Sequence, residues 1–197
     1  MIIPKCQLGT FALAIVLCLP AFSASPPVAG IPNFHQVNEN VLRGGQPSPE
    51  AWPGLASLGV KTVIDLRRPD EHSTADESKA VQAAGMKYIN IPMKGVVAPD
   101  EANVARILSL LHSEGKVFIH CKRGADRTGA VIAAYRMEHQ CWESKKALSE
   151  AKSYGMAWTQ FGLKSYVKSF KPDNLSAGRP SPGCNCSPTQ ADASPEF

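Results

Sequence analysis

The order of elements predicts an α/β domain with a central, largely parallel sheet of four to five strands flanked by helices. Three observations carry this. Short runs rich in β-branched residues lie at 60–66, 86–91 and 116–120, and segments with helical apolar spacing lie between them. Gly59, Gly85 and Gly115 each stand where a helix must stop and turn into the next strand. Strands alternating with helices of this size form βαβ units and a parallel sheet.

The elements follow in order. Asn40-Val-Leu-Arg43 is a short strand closed by Gly44 and Gly45, and 49–58 is a helix whose apolar residues lie three or four apart. Strand 60–66 follows, then helix 77–84 and strand 86–91. Val104, Ile107, Leu108 and Leu111 line one face of a helix over 100–114, with Asp100 placed to cap its start. Strand 116–120 leads into helices 128–139 and 143–154, the second stopped by Gly155.

The ends differ in character from the middle. Lys5, the apolar run Phe11 to Leu19, Pro20 and the small residues Ala21, Ser23 and Ser25 follow the order of a cleaved export signal. The apolar run is short for a bilayer span. Leu17 is large where a lipid-modified Cys18 needs a small predecessor. The expected organisation is a signal peptide at 1–24, a Pro-rich leader at 25–32, one domain at 33–170 and a disordered tail at 171–197. The expected location is secreted or periplasmic, with membrane anchoring if the signal is retained. With 44% hydrophobic and 19% charged residues and a net charge of +4, composition is ordinary. The charge is too small to argue for nucleic acid or an anionic membrane, and the pattern requires no second subunit, so a monomer is expected.

Six cysteines do not form a disulfide framework here. Cys6 and Cys18 leave with the signal, and Cys184 and Cys186 sit in the tail with no nearby metal ligands. Cys141, beside Trp142, reads as a buried or half-buried thiol. Trp52, Trp142 and Trp158 read as packing residues. Cys121 needs another explanation.

His120-Cys-Lys-Arg-Gly-Ala-Asp-Arg-Thr-Gly129 joins an apolar strand directly to a helix. A loop entering a helix exposes unpaired N–H groups and the positive end of the helix dipole, both of which attract anions. Gly124 and Gly129 permit a tight backbone path, and Arg127 adds a forked donor matched to two phosphate oxygens. The same field favours a thiolate at Cys121, which makes it a nucleophile.

This Cys-x5-Arg segment, with His120, Thr128 and Gly129, resembles the dual-specificity branch of the protein tyrosine phosphatases. Val41-Leu-Arg-Gly-Gly-Gln-Pro47, Val63-Ile-Asp-Leu-Arg67 with Glu71, and Tyr135-Arg136 are similar to the bacterial, plant and fungal atypical members. The resemblance implies a protein tyrosine phosphatase-like fold and hydrolysis of phosphomonoesters through a phosphocysteine intermediate, with no metal and no cofactor. Phosphotyrosine, phosphoserine, phosphothreonine or inositol-type phosphates are the expected substrates. Cys121 would attack phosphorus, and Arg127 and the loop amides, including Gly124 and Ala125, would hold the oxygens. Thr128 would support the thiolate, and His120 would orient the loop from behind.

The general acid has two candidates. The resemblance implies an Asp on the loop after a strand, about thirty residues before the cysteine. That stretch lacks one, and the first acid is Asp100, 21 residues upstream and equally suited to a helix cap. Asp126, inside the loop, is the second, either as the acid, as in the myotubularin phosphatases, or simply paired with a neighbouring Arg. The amide dipoles and Arg127 around it favour its carboxylate form. Lys122 and Arg123 add cations at the rim that suit substrates with several phosphates, or simply solvated surface charge. Asp65, Arg67 and Arg43 read as ion pairs supporting the loop. Two other readings remain: a phosphate-binding module without turnover, and rhodanese-like sulfur transfer, whose loop generally has four rather than five intervening residues.

Overall fold

The computed structural model describes residues 28–112 and 115–172. The expected signal peptide and all but two residues of the expected tail lie outside them. Strands β1 (His35–Gln36), β2 (Val41–Gly44), β3 (Val60–Asp65), β4 (Lys87–Asn90) and β5 (Lys116–His120) form one sheet in the order β1-β2-β5-β3-β4. All neighbouring pairs are parallel except β1 with β2. The helices are α1 (Trp52–Ser57), α2 (Thr74–Ala83), α3 (Glu101–Leu111), α4 (Asp126–Gln140), α5 (Ser144–Ser153) and α6 (Phe161–Ser169).

Alternation along the strands divides the core between two faces. Val41, Ile64, Val117 and Ile119 face the side packed by α3 to α6. Leu42, Val63 and Phe118 face Trp52 and Leu55 of α1 and Val81 of α2. Helix α4 is buried along most of its length because it lies against the sheet and is also covered by α5 and α6.

Several boundaries depart from the sequence expectation, each for a local reason. Helix α2 starts at Thr74, ahead of the expected 77, because the Ser73 hydroxyl accepts from the Asp76 amide at 3.2 Å. Helix α4 starts at Asp126, ahead of 128, so the loop enters it without a spacer. The expected helix 49–58 opens as a 3-10 turn (Pro49–Ala51), with Pro49 at its first position and Pro53 near the start of α1. A second 3-10 turn (Pro69–Glu71), β1 and α6 were not foreseen. Helix α6 buries Leu163, Tyr166 and Val167, a spacing of three and four. No helix among the described residues is long and apolar enough to cross a membrane.

The register sets the site. Gly44, His120, Asp65 and Asn90 lie in one row across β2, β5, β3 and β4, at the carboxyl ends of these four parallel strands. In a parallel sheet this is the edge where ligands bind, and the loop carrying Cys121 rises from its centre.

Candidate active site

Cys121 follows the last residue of β5 and is buried, with 2% of its surface exposed. The loop is seated on the end of β2. Gly124 has φ +71°, and a Cβ there would lie 2.3 Å from the Gly44 carbonyl carbon, so only glycine fits. Gln46 N donates to the Lys122 carbonyl at 3.1 Å. The Gly124 carbonyl accepts from Arg43 Nη2 at 2.6 Å and from Asn33 Nδ2 at 3.1 Å. With these carbonyls tied to the scaffold, a loop running straight into a helix N-terminus is shaped to present N–H groups to an anion.

Arg127, on the first turn of α4, crosses to the far side of the site. Nη1 and Nη2 donate to Oε1 and Oε2 of Glu71 at 2.6 and 2.9 Å, and Nη1 lies 3.3 Å from the Met93 carbonyl. Burial disfavours the Arg127 charge, yet its hydrogen bonds to Glu71 and the nearby Cys121 outweigh it and raise its pKa. The Arg127 hydrogen bonds hold the Glu71 carboxyl down at about 2. Arg43 is buried under the loop with its guanidinium 4.5 Å from the Tyr154 ring centre, and burial lowers it to about 10.

Behind the loop lies a charged cluster. Asp65 accepts from Arg67 Nε at 3.0 Å and from Tyr88 Oη at 2.9 Å, and His72 Nε2 is 2.7 Å from it. Arg67 also pairs with Glu77. His120 Nε2 lies 3.0 Å from Glu77 Oε1, close enough for an ion pair although the angles fall short of a hydrogen bond. Burial pushes Asp65 upward, but His120 and Arg67 outweigh it and lower its pKa. Asp65, His72 and Glu77 offer donor atoms within 4.8 Å of one another. The Arg67 guanidinium already engages both carboxylates, so the cluster fits an ion-pair support for the loop better than a metal centre. His120 thus stands behind the loop, and Asp65 and Arg67 pair as expected. Arg43 supports the loop by a hydrogen bond to a carbonyl rather than by an ion pair.

Other expected site residues take different positions. Asp126 Oδ1 accepts from the Ala157 amide at 2.8 Å, and Oδ2 pairs with Arg123. Asp100 is exposed and caps α3, accepting from the Asn103 amide at 2.9 Å. Thr128 is fully buried, and its hydroxyl has no hydrogen-bond partner. Lys122 is exposed at the rim. Two expectations are corrected. Trp158 is not a packing residue: it is 77% exposed, beside Phe161, which is 67% exposed. The Ala157–Asp126 bond sets this pair next to the loop, and the Gly162 amide approaches the Val96 carbonyl, bringing exposed Val96 and Val97 to the same ledge. Cys141 is disulfide-bonded rather than a thiol, while Cys121 is free.

Sequence reasoning missed Glu77, His72, Tyr88, Tyr154 and Ala157. Only Glu77 carried a signal, as an acid on the buried face of a helix.

Residues 26–169 match the family described as DSP-PTPase phosphatase fused to NAD+ kinase. The chain belongs to that family. Within this cysteine-phosphatase family, it is 26% identical over 151 residues to the dual specificity protein phosphatase TpbA of Pseudomonas aeruginosa. That alignment covers 73% of this chain and 65% of TpbA, so the chain spans just under two thirds of that relative's length. The crystal structure of TpbA superposes with a TM-score of 0.65 at 27% identity, covering 77% of this chain and 92% of that one. The inositol diphosphatase DSP3 of Arabidopsis thaliana is 28% identical over 145 residues, 70% of each chain. The fold is that of the protein tyrosine phosphatases.

Proposed function

We propose that this chain is an exported cysteine-dependent phosphatase that hydrolyses phosphomonoesters through a phosphocysteine intermediate. The observation that carries the reading is the pairing of one free, buried cysteine at the loop base with an arginine fixed in plane across the same loop. Cys121 is the nucleophile. Arg127 and the amides of the loop through Gly124 and Ala125 bind the phosphoryl oxygens as they spread into the trigonal transition state. The unpartnered Thr128 hydroxyl supports the thiolate when sulfur departs in the second step. Lys122 and Arg123 favour anionic substrates at the rim, and His120 with Glu77 positions the loop.

Relatives bear on the substrate. A TpbA structure is in complex with phosphotyrosine, and DSP3 is called an inositol diphosphatase. Phosphotyrosine peptides and inositol-type phosphates are therefore the substrate classes to test first. The disulfide at Cys141 fits an oxidising compartment, and so supports export.

The test is turnover of p-nitrophenyl phosphate, phosphopeptides and inositol polyphosphates by the purified chain and by Cys121→Ser. Hydrolysis that disappears in Cys121→Ser is the expected result. Binding of vanadate or phosphate with no turnover of any substrate would instead support a phosphate-binding module.

A further inference from the structure

We propose, on the basis of the phosphatase reading above, that transfer to Cys121 proceeds without a carboxylic-acid proton donor. The site then selects substrates whose leaving group departs as a stable anion. The class comprises aryl phosphates, acyl phosphates and phosphoanhydrides, in preference to alkyl phosphates such as phosphoserine.

The carboxyls around the loop carry this inference, because nearly all of them already accept from N–H or O–H donors. Both oxygens of Glu71 accept from Arg127. Asp126, the acid inside the loop, has one oxygen on the Ala157 amide and the other on Arg123. An oxygen accepting from an N–H has no proton there to donate. Asp126 instead latches the segment 157–161 to the phosphate loop and sets the position of Arg123. Asp65 is fully buried with Arg67, His72 and Tyr88, and Glu77 pairs with Arg67 and His120. Asp70 pairs with Arg68 at 2.9 Å. The segment 91–99 between β4 and α3 carries Lys94 and no acid. Two exposed acids keep one oxygen free of the bonds described: Asp70, whose other oxygen meets Arg68, and Asp100, whose other oxygen caps α3.

The step balances without an acid. Cys121 Sγ forms a bond to phosphorus as the P–O bond to the leaving group breaks, and that electron pair leaves on oxygen. The anion takes a proton from solvent, or none. Water then attacks phosphorus, the S–P bond breaks, and the thiolate returns as inorganic phosphate and a proton are released.

The experiment is kcat/KM of the full chain across substituted phenyl phosphates, extended to an alkyl phosphate, acetyl phosphate and a diphosphate ester. Wild type, Asp100→Asn and Asp126→Asn are compared, since asparagine preserves the cap of α3 and can still accept from the Ala157 amide. The expected result is a fall of about tenfold per unit rise in leaving-group pKa, since charge builds up on the departing oxygen. Asp100→Asn should leave that slope and its level unchanged. Asp126→Asn should lower every substrate by a common factor. A flat wild-type series that turns steep in one variant would overturn the proposal and identify that residue as the acid. A flat series that stays flat in both variants would also overturn it. Failure to hydrolyse even p-nitrophenyl phosphate would sink the phosphatase reading itself.

Discussion

Arg127 and Glu71 meet as a two-point ion pair, with Nη1 to Oε1 at 2.6 Å and Nη2 to Oε2 at 2.9 Å. An arginine has five N–H groups in a planar fork. Glu71 takes two, and the Leu66 and Met93 carbonyls sit near the rest of Nη1 at 3.4 and 3.3 Å. Nε and the outer N–H of Nη2 remain, adjacent on one edge, for two oxygens of a phosphoryl group.

Glu71→Gln should therefore weaken substrate binding without unfolding the protein. A charge-assisted pair is worth about 1.5–3 kcal/mol, so kcat/KM should fall about 10- to 150-fold, mostly in KM. Steady-state kinetics with p-nitrophenyl phosphate checks this.

The same pair has a defined pH dependence. Arg127 lowers the Glu71 carboxyl from 4.5 to about 2. A carboxyl depressed in the folded state stabilises it above the unfolded value and loses that contribution as pH falls through the folded value. Wild type should be more stable than Glu71→Gln at pH 5. Acid titration followed by circular dichroism should show the two converging as pH falls toward 2.

Gly124→Ala should be severe. The residue has φ +71°, and a Cβ would press on the Gly44 carbonyl carbon at 2.3 Å. Left-handed strain plus a backbone clash costs on the order of 2–4 kcal/mol, read as a lower urea midpoint, with activity lost as the loop lifts off β2.

These two positions differ in how visible they were in the sequence. The succession of strands and helices and the loop were legible because strand-loop-helix periodicity and the spacing of Cys121, Gly124 and Arg127 are local, whereas the order of strands across the sheet was not. The partners of Asp126 were not, because Ala157 lies 31 positions away and contributes only a backbone amide. Glu71 stood out through resemblance alone, since nothing in its neighbours shows that Arg127 crosses from another element to meet it. Trp158 misled because a large apolar residue is normally buried, whereas this one lies outside the stripe through which α6 packs. Helix α6 itself was readable from Leu163, Tyr166 and Val167, but its short length between polar residues hid it.

Arg43→Met separates support of the loop from support of the fold. Its guanidinium is buried with Nε and Nη1 unpartnered, so a methionine of similar length removes a desolvation cost as it removes one hydrogen bond. Stability should change by no more than about 1 kcal/mol. Turnover should drop about tenfold or more as the Gly124 carbonyl loses its anchor. Thermal melts beside kinetics distinguish the two effects.

Trp158→Ala should leave stability within about 0.5 kcal/mol, as for other exposed positions. Its ledge with Phe161, Val96 and Val97 borders the loop, so KM for phosphopeptides with apolar residues beside the phosphorylated one should rise about three- to tenfold. KM for p-nitrophenyl phosphate, too small to span the ledge, should hold.

The central claim is that Cys121 carries the phosphoryl group, and trapping that adduct tests it most directly. The full chain is mixed with p-nitrophenyl phosphate, quenched in acid within the first turnovers, and mapped by mass spectrometry. A phosphoryl group on Cys121, absent in Cys121→Ser together with all turnover, is the predicted result. Undiminished hydrolysis by Cys121→Ser, or a phosphoryl group on another residue, would contradict it.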